Sequence, residues 1–314
     1  MSEREFQHIT YAVSERIATI TIDSPQTRNG FTGLMGQELI TAFGRADRDD
    51  EVKVVVFTGK GKFFCPGADL SGGANTFDYD ARAKDAVDVV GTGASGAGGE
   101  EPPVPTEGRD EIDGVRRDGG GRVSLAIASM HKPVIVAFNG AAVGVGSTMT
   151  LPCDIRIASE DARFGFVFSK RGIMPEAAST WFLPRVVGIN RALEWVYTGK
   201  VFDAAEAKEA GLVSRVVPAA ELMDVTYALA RELAETSSAV TMAAGRTMLW
   251  GMLTADNPWE AHRLDSKGIY ELGRQADAKE GVTSFLEKRP PQFPGRIPSD
   301  LPEWLPDFPG AQPQ

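Results

Sequence analysis

Phe64-Cys65-Pro66-Gly67-Ala68-Asp69-Leu70 is the stretch around which this 314-residue sequence is organised. It follows Val54-Val55-Val56-Phe57-Thr58, a short β-branched apolar run closed by Gly59, which predicts a buried strand. A Gly-Ala-Asp turn just past such a strand can aim backbone N–H groups into a cleft. There they suit an anion, or an oxygen that gains negative charge during a reaction. On this reading the N–H of Ala68 is one half of an oxyanion hole. The rest of the chain must supply a second donor, a base and a binding surface.

The residues before the pivot read as a βαβ beginning. Ile9 to Val13 and Ile17 to Ile22 alternate apolar with polar or small residues and join at Ser14-Glu15, the pattern of an antiparallel hairpin closed by Asp23-Ser24-Pro25. Phe31 to Asp47 carries Leu34, Leu39, Ile40 and Phe43 at helical spacing, with Thr32 as N-cap. A right-handed crossover into Val54–Thr58 is expected.

Beyond the pivot the pattern breaks over residues 71–122. Gly91 to Gly99 is rich in Gly, Ala and Ser, Glu100 to Pro105 is acidic and proline-rich, and Asp118 to Gly121 is glycine-rich again. The composition predicts a mobile, partly disordered insertion, either a lid over the cleft or a surface loop. Periodicity then returns. Val123 to Met130 reads as a helix end and Pro133 to Phe138 as a second buried strand, followed by the small-residue turn Asn139 to Thr148 running into a helix through Leu151. Cys153 to Ser159 reads as a third strand, and Phe164 to Phe166 as a short extended piece. Gly172-Ile173-Met174-Pro175-Glu176 turns into a helix over Ala177 to Arg185; Arg191 to Tyr197 and Ala204 to Ala210 are helical, and Leu212 to Val217 is a strand. From Ala219 on, four helices are expected (Glu221–Glu235, Ala239–Leu253, Pro258–Leu272, Lys279–Glu287), then an irregular proline-rich tail after Arg289. Strands alternating with helices, then helices only, predict an α/β core over residues 1–217, a helical extension over 218–289 that packs on its own core or on a neighbour, and a tail over 290–314.

Composition sets outer bounds. Apolar residues at 42% and charged residues at 24% suit a globular protein, and a net charge of −10 argues against a nucleic-acid surface. A polyanionic ligand would have to meet a local basic patch. Cys65 and Cys153 lie in or beside apolar runs, which predicts buried free thiols in a reducing cytoplasm. Residues 1–8 have no signal-peptide core and no apolar run reaches the ~20 residues that span a bilayer, so a cytoplasmic protein without membrane association is expected. No metal-ligand spacing occurs, and no dinucleotide glycine fingerprint follows a strand. His131, before Lys132-Pro133, reads as structural; His8 and His262 sit in no motif.

Five segments taken in order resemble the crotonase superfamily, the enoyl-CoA hydratase/isomerase fold: Asn29-Gly30-Phe31-Thr32, the pivot Phe64 to Leu70, Lys132-Pro133-Val134-Ile135 with Asn139-Gly140, Cys153-Asp154-Ile155-Arg156, and Lys279-Glu280-Gly281 with Phe285-Leu286-Glu287-Lys288-Arg289. The resemblance implies a ClpP-like spiral of ββα units with a helical C-terminal extension, homotrimers or dimers of trimers, and acyl-CoA thioester substrates of fatty-acid type, with CoA as part of the substrate and no separate cofactor. It also implies that the thioester oxygen receives two N–H bonds, here from Ala68 and Val145. Val145 opens a helix, so its N–H is a free first-turn donor, and a backbone donor tolerates a side chain in place of the family's usual glycine. For CoA, the resemblance points to Arg28, to the pivot residues Pro66, Gly67, Ala68, Asp69 and Leu70, with the Pro66 carbonyl facing the adenine amino group, and to Lys288 reaching phosphate on a neighbouring subunit.

The sequence departs from the family where its hydratases carry two glutamates. Thr148 and Phe168 stand there, and neither holds a proton or activates water at neutral pH. One carboxylate remains, Glu176, after a proline turn. This resembles the branch of Δ3,Δ2-enoyl-CoA isomerases, where a lone Glu or Asp in that turn is the base, and that branch also has a β-branched residue and a Thr at the positions of Val145 and Thr148. Without the resemblance, Glu176 reads equally as a first-turn acid favouring the helix dipole. Phe166, Phe168 and Trp181 are candidates for an apolar lining that raises the base's pKa, or for ordinary core. Three functions stay open: a Δ3,Δ2-enoyl-CoA isomerase, a divergent hydratase or other enolate-forming CoA enzyme, and a non-catalytic CoA-thioester-binding protein.

Overall fold

The computed structural model describes residues 5–79 and 111–310, so the Gly91–Gly99 and Glu100–Pro105 parts of the expected insertion lie outside the described residues. The chain starts with strands β1 (Ile9–Ser14) and β2 (Ile17–Ile22), paired antiparallel with Ile9 opposite Ile22. Glu15 and Arg16 both take positive φ between them, the two-residue turn whose twist matches a hairpin. Helix α1 (Gly33–Arg48) begins where Thr32 accepts the N–H of Met35 at 3.1 Å, and buries Met35, Leu39, Ala42 and Phe43. Strand β3 (Val54–Gly59) is buried throughout, and β4 (Phe63–Cys65) follows after one turn.

The far end of the expected insertion is ordered. A small hairpin, β5 (Glu111–Ile112) with β6 (Val115–Arg116), leads into helix α2 (Gly119–Ala128), which Asp118 caps through the N–H of Gly121. Then come β7 (Val134–Phe138), β8 (Ala141–Val143), the one-turn helix α3 (Val145–Thr148), β9 (Ile155–Ser159), β10 (Arg163–Gly165), α4 (Ser179–Val187) and α5 (Ile189–Thr198). Strand β11 (Val201–Asp203), helix α6 (Ala204–Glu209) and strand β12 (Arg215–Val217) complete the mixed region.

Two sheets organise these strands. The larger runs β1-β2-β3-β7-β9-β12, and every pair after the first is parallel; the smaller runs β11-β10-β8-β4. The consecutive pairs β3/β4, β7/β8 and β9/β10 each place one strand in each sheet, so the chain climbs as a spiral of ββα units. A ladder of edge-to-face rings fills the space between them. Phe43 of α1 meets Phe57 of β3 at 5.3 Å, Phe57 meets Phe64 of β4 at 5.1 Å, Phe64 meets Phe138 of β7 at 5.0 Å, and Phe138 meets Phe164 of β10 at 4.9 Å. Such pairs prefer this tilted geometry because ring edges are positive and faces negative.

Four helices follow: α7 (Leu222–Thr236), α8 (Ala239–Gly251), α9 (Pro258–Leu272) and α10 (Ala276–Glu287). Leu222, Ala230 and Ala234 of α7 seal the other face of the large sheet against Ile17, Val54, Val56, Ile135 and Ile157. Residues 290–310 of the tail form no helix or strand but are docked: Trp304 Nε1 donates to Glu271 at 2.5 Å, and the Phe308 ring stacks on Trp250 at 5.8 Å and meets Trp181 at 5.8 Å. No helix among the described residues is long and apolar enough to cross a membrane.

Arg246 of α8 clamps the core. Its Nε lies 3.0 Å from Asp154 Oδ2, and its other nitrogens donate to the carbonyls of Ile127, Ala128 and Met130 at the end of α2. Arg246→Ala would leave Asp154 without its cation and remove the guanidinium donors from three carbonyls. Breaking a buried pair in this way costs about 3–5 kcal/mol, and urea denaturation is expected to show a lowered midpoint at unchanged slope.

Candidate functional site

The site forms where two turns press together. A Cβ on Gly146 would stand 1.9 Å from the Cys65 carbonyl oxygen, and one on Gly140 would stand 2.0 Å from that of Lys62, so the backbone on both sides of β8 lies directly on β4 and its lead-in. Gly67 (φ +127) and Gly144 (φ +56) supply the positive φ values the two turns need. In the first turn, Phe31 N–H donates to Gly67 O at 2.8 Å and Asp69 N–H donates to Phe31 O at 2.9 Å, which leaves Ala68 N–H on the opposite side. In the second, Gly144 N–H donates to Gly165 O at 2.8 Å and Val145 opens α3. Neither Ala68 N–H nor Val145 N–H has an acceptor among the described residues. Both residues line one cavity of about 1020 Å³, together with Pro66, Gly67, Asp69, Leu70, Phe168 and Glu176.

Glu176 is held from three sides. Thr148 Oγ1 donates to Glu176 Oε1 at 2.5 Å. Gly120 of α2 lies so close to Oε2 that a Cβ there would be 2.0 Å away. Asp118 Oδ1 accepts the N–H of Ala177 at 3.1 Å, which sets a second carboxyl beside Glu176. Burial raises the Glu176 pKa to about 8; the Thr148 bond opposes the rise, while the neighbouring Asp118 adds to it. Ala177 (φ 63) and Ala178 (φ 51) are both left-handed without being glycine, so helix α4 starts at Ser179 rather than at Ala177 as its sequence predicts. Two such residues cost about 1–3 kcal/mol each and persist only where their surroundings hold them.

The remaining expected site residues divide. Phe168 is buried at the cavity wall, as a lining residue would be. Phe166 and Trp181 are not on the lining: Phe166 stacks on Trp195 at 5.7 Å, and Trp181 packs on Phe182 at 4.8 Å and under the Arg185 guanidinium at 3.9 Å. Arg28 and Lys288 are exposed and do not line the cavity of their own chain. His131 contacts Asp47 at 2.8 Å, a structural pairing. Burial pushes both thiols, Cys65 and Cys153, up to about 12. Among the described residues no group of three or more His, Cys, Asp or Glu could hold a metal ion.

Asp118, Gly120 and the Thr148–Glu176 contact are absent from the sequence reading. The first two sit in the glycine-rich run taken there as loop. The signal available was Asp118, an N-cap residue type, five residues ahead of Val123, where the apolar helical pattern starts.

The sequence pattern of the enoyl-CoA hydratase/isomerase family matches residues 12–89 and 106–296. The chain is 38% identical over 284 residues to the enoyl-CoA hydratase ACTT3 of Alternaria alternata, covering 89% of this chain and 83% of that protein. It is 34% identical over 295 residues to the 1,2-epoxyphenylacetyl-CoA isomerase of Escherichia coli, covering 90% and 97% respectively. A crystal structure of a probable enoyl-CoA hydratase/isomerase from Mycobacterium abscessus superimposes with a TM-score of 0.74 at 30% identity, covering 91% of this chain and 98% of that one.

The raised carboxyl has a stability consequence whose sign is fixed. Between the ordinary value of 4.5 and about 8 the folded chain keeps a proton that the unfolded chain has released, so stability falls as pH rises through that window. Glu176→Gln removes this penalty. The variant is expected to melt close to the parent at about pH 5 and increasingly above it toward about pH 9. A gap that does not widen with pH contradicts the assignment.

Proposed function

The chain belongs to the enoyl-CoA hydratase/isomerase family of the crotonase superfamily, and from that premise we propose that it is a Δ3,Δ2-enoyl-CoA isomerase with Glu176 as its base. The observation that carries this reading is one desolvated carboxyl facing a cavity whose wall also presents two unpaired backbone donors, with Thr148 and Phe168 at the positions of the hydratase glutamates. The Glu176 carboxylate removes a proton from C2 of a 3-enoyl thioester. The C–H pair moves into the C1–C2 bond, and the thioester oxygen takes the charge, held by Ala68 N–H and Val145 N–H. The C3=C4 pair then takes the proton back from Glu176 at C4, the double bond settles between C2 and C3, and the carboxylate is regenerated. A base near pKa 8 returns a proton about as readily as it takes one, which suits a reaction that ends where it began in protonation. Losing one oxyanion donor costs about 2.7–4 kcal/mol in comparable sites.

Hydration is the second reading, favoured by Asp118 as a further carboxyl on the cavity wall and by the hydratase names among the relatives. Against it, Asp118 is tied to the Ala177 N–H beside Glu176 rather than standing across the cavity from it, and the Asp69 carboxylate accepts the Ser71 hydroxyl.

The C-terminal helices carry Leu249, Trp259, Ile269, Phe285 and Leu286 at 72–81% exposure. Covering these is what a second copy of the chain would do, and a trimer, or a dimer of trimers, would bring the exposed Lys288 toward a neighbour's CoA phosphates. Light scattering is expected to give a trimer or hexamer mass; a monomer at micromolar concentration contradicts this.

Incubation with 3-hexenoyl-CoA is expected to give the conjugated 2-enoyl thioester, with kcat/KM rising with pH to a plateau above about 8. Glu176→Gln should lower the rate by about 10²–10⁴-fold. Rapid hydration of crotonyl-CoA by that variant sinks the isomerase reading, and tight CoA-thioester binding with no turnover of either substrate points to a binding protein.

A further inference from the structure

We propose that Asp118 is a positioning residue for Glu176: it pins the turn that carries the carboxyl and sets a second carboxyl beside it. The inference rests on the reading of Glu176 as the base. Its geometric ground is a single side chain joining two elements far apart in sequence. Asp118 Oδ1 accepts the N–H of Gly121, which caps α2, and at 3.1 Å the N–H of Ala177, the first of the two left-handed alanines after Glu176. A cap needs only the first of these bonds. The second fixes a backbone conformation that alanine does not hold by itself.

The same carboxyl stands beside Glu176, held to the N–H of the next residue, and a like charge so near disfavours ionisation of its neighbour. Thr148, on the other side, has the opposite effect, because its hydroxyl donates to the charged form. The base is set between a neighbour that favours its charge and one that resists it.

The titratable groups acting on Glu176 are thus Asp118 from the start of α2 and the Cys65 thiol of β4, which burial keeps protonated. Asp69, Arg116, Arg117, Arg122 and Arg171 line the same cavity and stay in place in the variants below.

Two substitutions separate the roles. Asp118→Asn keeps an oxygen for both N–H groups and removes the charge. Asp118→Ser keeps a capping oxygen for α2 but is one atom too short to hold Ala177 as well, and both retain an N-cap residue so that the helix start survives. The readout that does not depend on turnover is a carbon-13 titration of the Glu176 carboxyl in the full-length protein. Its midpoint is expected to fall by at least about one unit in Asp118→Asn, and the acid limb of kcat/KM to move to lower pH with it. Asp118→Ser is expected to lose a further about tenfold in kcat relative to Asp118→Asn, with KM little changed, as a displaced base requires. An unchanged Glu176 midpoint in Asp118→Asn overturns the coupling between the two carboxyls. Equal kcat in the two variants overturns the tether. If Glu176 is not the base, Glu176→Gln keeps its turnover while the carboxyl titration still reports on Asp118, so the two failures are told apart.

Discussion

The site depends on one close approach: the backbone on both sides of β8 lies against β4 and its lead-in with no room for a side chain between them. A Cβ on Gly146 would overlap the Cys65 carbonyl and one on Gly140 would overlap that of Lys62. Everything chemical in the cleft follows from that contact, because it brings the turn at Ala68 and the turn at Val145 to the same wall. The ring ladder behind it, from Phe43 to Phe164, sets the spacing of the two sheets, so the turns are held by packing and not by their own hydrogen bonds alone. A rigid scaffold carrying irregular turns is the general way in which backbone donors are kept aimed without reorganising.

A second layer of control is electrostatic. Glu176 is placed where water does not reach its carboxyl well, and the fold tunes it with two neighbours of opposite effect, Thr148 and Asp118. Asp118 comes from the start of α2, where exposed N–H groups gather, and Thr148 from the end of the one-turn helix α3. The base itself sits before a pair of left-handed alanines, so its direction is set by strained backbone that the core must hold in place.

How legible this was depended on the range of the interactions. The β1–β2 hairpin, α1, β3 and β7 are long, periodic runs and could be read directly, as could the helices from Leu222 onward. The three-residue strands β4 and β8 could not, since three residues show no alternation; Ala141–Val143 reads as part of a glycine-rich turn, whereas β10 was visible as a short extended piece at Phe164–Phe166. The pivot Gly67-Ala68 and the lone Glu176 were visible as residue types at turns. Their partners were not, because Asp118 and Ala177 are 59 positions apart and Thr148 and Glu176 are 28 apart, and neither pair has a local pattern. The run Gly119-Gly120-Gly121 misled for a physical reason: its composition belongs to loops, yet here the absence of side chains lets a helix start pass beside Glu176 and Val145.

The docked tail has an optical consequence. Trp181 lies five residues after Glu176 on the helix that begins at Ser179, with the Arg185 guanidinium over its ring and Trp250 and Phe308 beside it. An indole so enclosed emits according to the polarity and order of its neighbours. Any shift of the Glu176 turn or release of the tail therefore changes the colour and intensity of the chain's own fluorescence, so the protein carries a built-in reporter on the helix that follows its base.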